Sequence, residues 1–148
     1  MTIYLVSCVS QKATTAKPAQ DLYLSNWFRK AKAYVLRNLR AQDRWFILSA
    51  KHHLVAPERQ LAPYEATLLR MKQIERKEWA KRVTVQILRK STNRDQVVIL
   101  AGKRYREFLT PNLEAEGYQI EVPMRGLGIG RQLAWLSRKD QQERKSLF

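Results

Sequence analysis

Three short apolar runs, each cut off by small or polar residues, constrain this chain more than any other feature. They are residues 2–6 (TIYLV), 45–49 (WFILS) and 96–101 (QVVILA), followed by Ser7-Cys8, by Ala50-Lys51-His52-His53 and by Gly102. Their length and β-branched content predict buried strands. A fourth strand is expected over 118–122, closed by Pro123.

The stretches between these runs have helical spacing. Ser25 is placed to cap a helix to about residue 39, with Phe28, Ala31, Val35 and Leu39 on one face. Arg29, Lys30, Lys32, Arg37 and Arg40 fall on the opposite face, either as a solvated basic surface or as one that tracks phosphates. Further helices are expected over 71–90, through Trp79, Val83 and Ile87, and over 103–117, through Tyr105, Phe108, Leu109 and Leu113 with a break and restart at Thr110-Pro111. A last helix is expected to about residue 138. Residues 9–24 and 55–69 lack helical period and contain prolines, which predicts two long loops. Strands alternating with helices predict one α/β domain over 1–138, followed by a charged tail at 139–148. Its sheet is expected to be four-stranded and mostly parallel, with helices on both faces in a doubly wound, Rossmann-like arrangement. In such a sheet ligands bind at the carboxyl ends of the strands, and every unusual polar cluster in this sequence follows a strand.

Charge narrows the partner. The chain has 28 Lys and Arg against 13 Asp and Glu, a formal +15. Self-repulsion of that size makes a polyanionic partner the economical explanation, and nucleic acid, DNA before RNA, fits better than a membrane surface. No apolar stretch approaches the roughly 18 residues that a membrane span needs. The start MTIYLVSC lacks the basic and long apolar regions of a signal peptide, so a cytoplasmic protein is expected. A lone cysteine excludes an internal disulfide, and with only two histidines beside it a zinc site built from Cys and His is not expected. Neither a metal, a cofactor nor an obligate protein partner is expected.

The chemistry-bearing residues lie after the strands. His52 or His53 is either a general acid or base, or an exposed loop residue, and an extended segment cannot aim both at one site. Lys51 is the safer choice in that corner, as a phosphate ligand or a Schiff-base amine. Cys8 is either an inert buried thiol or a nucleophile activated by His52 or Lys12. Of the loop carboxylates Asp21, Glu58 and Glu65, Asp21 is preferred as the general base. Tyr23, Tyr64 and Tyr105 flank the loops and can stack on a base, although Tyr105 also has core spacing. Gly126-x-Gly128-x-Gly130, flanked by Arg125 and Arg131, is either a tight turn or a cradle for phosphate at a helix start. It is neither a dinucleotide fingerprint nor a Walker loop.

Several segments together resemble a known family. They are Ser7-Cys8 with Lys12, Lys17-Pro18-Ala19-Gln20-Asp21-Leu22-Tyr23-x-Ser25, Leu48-Ser49-Ala50-Lys51-His52 and Pro63-Tyr64-x-x-Thr67-Leu68, with Ala101-Gly102-x-x-Tyr105 and Gly126-Leu127-Gly128-Ile129-Gly130-x-Gln132-Leu133. The chain resembles an uncharacterised bacterial and phage family grouped with the YaaA-like peroxide-stress proteins. It departs where that family has glycine after the histidine, since His53 stands there. The resemblance implies DNA association and glycosylase or lyase chemistry on damaged bases. A more distant similarity, to archaeosine synthases, implies base modification through Cys8. The expected activity is therefore an enzyme acting on a nucleobase or nucleoside, cleaving an N-glycosidic bond. Asp21, Lys51, His52 and Cys8 are the catalytic candidates. Ser7, Lys12, Tyr23, Ser25, Ser49, Tyr64, Gly102 and Tyr105 are expected to bind substrate, while Arg125, Gly126, Gly128, Gly130 and Arg131 hold phosphate. The alternatives are a base-modifying transferase using Cys8 and a non-catalytic nucleic-acid binder.

Overall fold

The first strand of the sequence becomes the centre of the sheet. In the computed structural model, which describes residues 1–145, strand β1 (Thr2–Ser7) has a parallel neighbour on each side. One neighbour is β3 (Arg44–Ser49) and the other β6 (Gln96–Leu100). Side chains on both faces of these strands are buried, with Leu5, Ile47, Leu48, Ile99 and Leu100 fully so. A strand covered on both faces has to be apolar at consecutive positions, which is why the three runs are continuous rather than alternating.

The expected four strands are five. The order is β4-β3-β1-β6-β7, with β7 (Gln119–Glu121) parallel to β6 and β4 (His53–Val55) antiparallel to β3. β4 spans three residues, too few to give a periodic signal, and it reverses through a tight turn at His53, whose φ of 65° is left-handed. The two long loops carry short regular pieces of their own. Residues 9–24 contain β2 (Lys17–Pro18) and the short helix α1 (Ala19–Leu22). β2 pairs antiparallel with β5 (Gln60–Leu61) from the second loop, making a ribbon of two residues on each side. A 3-10 turn at Leu68–Arg70 completes the second loop.

The longer helices follow their apolar spacing. α2 (Asn26–Asn38) is capped by Ser25, whose Oγ accepts from the Phe28 N–H at 3.0 Å, and it buries Trp27, Phe28, Ala31 and Val35. α3 (Gln73–Lys90) buries Trp79, Ala80, Val83 and Ile87. The segment after β6 divides into α4 (Lys103–Arg106) and α5 (Leu109–Ala115), so the break falls before Leu109 rather than at Pro111. Pro111 sits in the first turn of α5, where a backbone N–H would have no partner within the helix.

α6 (Ile129–Lys145) runs past residue 138 into the segment expected to be a tail. Ion pairs hold that extension: Arg37 of α2 reaches Asp140 at 2.8 Å and also pairs with Glu143. Further up, Lys30 donates to Ser137 Oγ at 2.8 Å, and the Tyr34 and Trp135 rings meet at 5.2 Å. Part of the basic face of α2 is therefore a helix–helix contact and not a phosphate track. Residues 146–148 of the expected tail lie outside the described residues.

Since β3, β1, β6 and β7 run parallel, their carboxyl ends share one edge. The chain leaves β1 toward β3 and returns on the other side of β1 to form β6. Ligand crevices form where strand order reverses in this way.

Candidate functional site

A chain of buried hydroxyls marks that edge. Ser49, the last residue of β3, is fully buried, and its carbonyl accepts from Trp79 Nε1–H of α3 at 2.9 Å. Its Oγ accepts from the His52 N–H at 2.9 Å, which fixes the turn after the strand. The same Oγ is hydrogen-bonded to the Tyr64 hydroxyl at 2.7 Å, and Tyr64 in turn to the Tyr23 hydroxyl at 2.6 Å. Tyr23 arrives from a tethered loop. Ala13 N–H donates to Leu22 O at 2.8 Å, Leu24 N–H donates to Gln11 O at 2.9 Å, and Lys12 faces Tyr23 in an isolated antiparallel bridge. Residues 9–24 thus fold back on themselves and bring Lys12 and Tyr23 together over the end of β1.

The charged groups gather on the Tyr64 ring. Lys12 Nζ lies 4.5 Å from its centroid and 5.8 Å from that of Tyr23, while donating to Ser10 O at 3.2 Å. Burial lowers the pKa of this ammonium, and the neighbouring Cys8 and Glu65 offset part of that shift. His52 meets the same ring edge-on at 5.2 Å. Its pKa is lowered by burial and then by Arg59, Lys51 and His53, while burial and Arg82 lower that of His53. Both imidazoles are therefore mainly neutral at pH 7. Lys51 is exposed, with Nζ 5.9 Å from the ring. Burial pushes the Tyr23 phenol up to about 12 and raises Tyr64 and Tyr105 as well. All three are protonated hydrogen-bonding groups at neutral pH, not bases.

A cleft of about 510 Å³ opens beside this cluster, lined by Ser10, Lys12, Tyr64, Glu65, Thr67 and Arg70 among others. Cys8 does not line it: it is 6% exposed, with Sγ 3.1 Å from the Tyr105 hydroxyl. The Tyr105 ring packs edge-on against Trp79 at 5.5 Å. His53 points elsewhere, into a separate cleft of about 280 Å³ with Met71, Ile74, Trp79 and Arg82. Only one histidine of the pair therefore touches the cluster.

Eight of the residues singled out in the sequence share this neighbourhood: Cys8, Lys12, Tyr23, Ser49, Lys51, His52, Tyr64 and Tyr105. Others take different places. Asp21 is 54% exposed on α1, and its carboxylate faces Lys32 at 3.4 Å, so the acid beside Lys12 is Glu65 instead. Tyr23 is 2% exposed and has no free face on which a base can stack. Ser25 serves as a helix cap. Ser7 is buried at the end of β1, and Gly102 receives the Tyr105 N–H at its carbonyl. In the glycine segment only Gly126 has a left-handed φ, 79°, while Gly128 O accepts from the Gln132 N–H in the first turn of α6 and Gly130 belongs to that helix. Arg131 is exposed, and Arg125 lines a further cleft beyond β6. Sequence reasoning missed Thr67 and Arg70 as cleft residues and Trp79 as a clamp on Ser49. The signal for the first two was their closeness to Pro63-Tyr64; Trp79 gave only its core spacing.

Among the described residues no group of three His, Cys, Asp or Glu side chains comes together to hold a metal ion. No described helix is long and apolar enough to cross a membrane. Over residues 3–138 the sequence matches the model of a family described as "Family of unknown function (DUF6884)", and the chain belongs to that family. No curated protein and no solved structure matches it.

Proposed function

For this member of a family of unknown function, we propose an enzyme that acts on a nucleobase or nucleoside in nucleic acid, DNA before RNA, and cleaves its N-glycosidic bond with Lys12 as the amine. The observation that carries this reading is Lys12 itself: a partly desolvated ammonium, lowered in pKa, held on the Tyr64 ring at the wall of a cleft of about 510 Å³. A lysine must lose its proton to become a nucleophile, and desolvation is the standard way to bring that within reach. Lys51 is exposed and does not line that cleft. The formal charge of +15 supports a polyanionic substrate. The YaaA-like resemblance, a doubly wound reading of the four parallel strands and a cytoplasmic setting belong to the same proposal.

In the proposed reaction the neutral Lys12 amine attacks C1′ of the nucleoside. The N–C1′ bond forms as the bond from C1′ to the base breaks, and the electron pair leaves with the base. Glu65 takes a proton from the attached amine and passes it to the departing base. Opening of the C1′–O4′ bond then gives an imine as the remaining amine proton passes to O4′, and water hydrolyses that imine to free Lys12 and leave an abasic sugar. The hydroxyls of Tyr64 and Ser49 serve as hydrogen-bonding groups beside the base. Cys8, buried against Tyr105, needs no role in this scheme.

Borohydride trapping on oligonucleotides with abasic sites and a panel of modified bases tests the proposal. The expected result is a covalent adduct that Lys12→Gln abolishes and that Lys51→Gln and Cys8→Ala both retain. Loss of product formation in Cys8→Ala, with trapping absent throughout, favours the base-modifying transferase. No adduct and no released base from any substrate overturns the enzyme reading.

A further inference from the structure

We propose that the cleft between the carboxyl ends of β6 and β7 binds a phosphate group, held by Arg106 and Arg125 with Lys103 at its rim. This deepens the nucleic-acid reading above and rests on it for the identity of the partner. The cleft measures about 270 Å³ and lies apart from the hydroxyl cluster, on the other side of α4. Tyr105 of that helix reaches Cys8, whereas its neighbour Arg106 turns the other way to line this cleft.

Arg106 is half-buried and fixed: its Nε–H donates to Ala101 O at 3.0 Å, which leaves the terminal nitrogens for another partner. Arg125 is presented by a tight turn, with its N–H on Val122 O at 3.1 Å and left-handed Gly126 following. Among the described residues none of Lys103, Arg106 and Arg125 has a carboxylate within ion-pair distance. Glu107 lines the same cleft but is engaged by Arg76 and, at 3.6 Å, by Arg104. Glu114 contributes one more carboxylate to the wall and leaves the cations in excess.

Two guanidiniums facing one cleft repel each other, and burial together with Arg125 lowers the pKa of Arg106 accordingly. A bound anion removes that repulsion, and guanidinium forks match the geometry of phosphate oxygens. The site is distinct from the glycine cradle suggested by the sequence: Arg125 belongs to it, whereas Arg131 and Gly126, Gly128 and Gly130 do not line it.

Fluorescence anisotropy with a short labelled single-stranded DNA, measured across a salt series, tests the assignment. Arg125→Gln and Lys103→Gln are compared with Arg94→Gln, which removes the same charge from the turn before β6. The expected result for Arg125→Gln is a salt slope shallower by about 0.7 and binding weakened severalfold, with Arg94→Gln close to wild type. Equal losses in Arg125→Gln and Arg94→Gln overturn the site. Titration with inorganic phosphate, followed through the Arg106 Nε–H resonance, separates the sources. A shift with phosphate alone supports an isolated phosphate group as ligand, and a shift with DNA alone supports a phosphodiester. No shift with either overturns the proposal. Trapping reads Lys12 and the phosphate titration reads Arg106, so the two proposals fail separately.

Discussion

Removing one oxygen from Tyr64 probes the buried hydroxyl chain without disturbing its surroundings. Tyr64→Phe keeps the ring that Lys12 and His52 contact and deletes the group that joins Tyr23 to Ser49. Ser49 Oγ retains the His52 N–H as a partner, but the Tyr23 hydroxyl, on a residue 2% exposed, loses its 2.6 Å bond to Tyr64 and keeps only a weaker interaction with Ser49. Leaving a buried polar group without its main partner costs about 1–3 kcal/mol on top of about 1 kcal/mol for a lost hydrogen bond, so Tyr64→Phe is expected to lose about 2–4 kcal/mol. Tyr23→Phe removes the end of the chain and leaves Tyr64 on Ser49, for about 1 kcal/mol. The double variant has no such hydroxyl on Tyr23, so its loss is expected to fall below the sum of the two single losses. Urea denaturation of all four proteins at pH 7, compared at constant m-value, measures each quantity. Additive losses, or a Tyr64→Phe variant as stable as Tyr23→Phe, refute the argument.

Two further outcomes follow from the same corner. His53→Gly relieves a left-handed backbone at φ 65° that costs an L-residue about 1–2 kcal/mol, and the greater freedom of glycine when unfolded cancels part of this. A net gain of about 0.5–1 kcal/mol in urea is expected, and a loss of stability shows that the His53 side chain contributes more than the strain takes away. Lys12 has a folded pKa below its ordinary 10.5, so the unfolded chain binds the extra proton as pH rises between the two values. Stability therefore carries a penalty below the folded pKa that is relieved as pH climbs toward 10.5. The difference in stability between wild type and Lys12→Met is expected to shift in favour of wild type over that window, and a pH-independent difference contradicts the desolvation of Lys12.

The long elements were legible because each repeats its signal. Val97 to Leu100, or Trp79 with Val83 and Ile87, state their burial several times over. What escaped was set by pairing rather than by a repeated local pattern. β2, β4 and β5 are two or three residues long and exist only through the strands they pair with. Asp21 appeared to sit on an open loop, yet α1 turns its carboxylate outward to Lys32. The end of α6 resembled a free tail because its acids find Arg37 about a hundred residues earlier. At the site, residue types after the strands were informative, whereas the choice between Lys12 and Lys51 depended on burial.

The shape of the sheet also bears on how copies of this chain meet one another. Its outer strands, β4 and β7, are three residues each, while the strands inside them run to five or six. An edge that short offers an incoming strand few rungs, and β7 adds Glu121 and exposed positions to the obstacle. The long apolar strands, those with most reason to template a cross-β assembly, are sealed between neighbours that cannot extend it. Aggregation through the sheet therefore requires an outer strand to peel away first. With a formal charge of +15 holding copies apart, the protein is guarded against self-association at two separate steps.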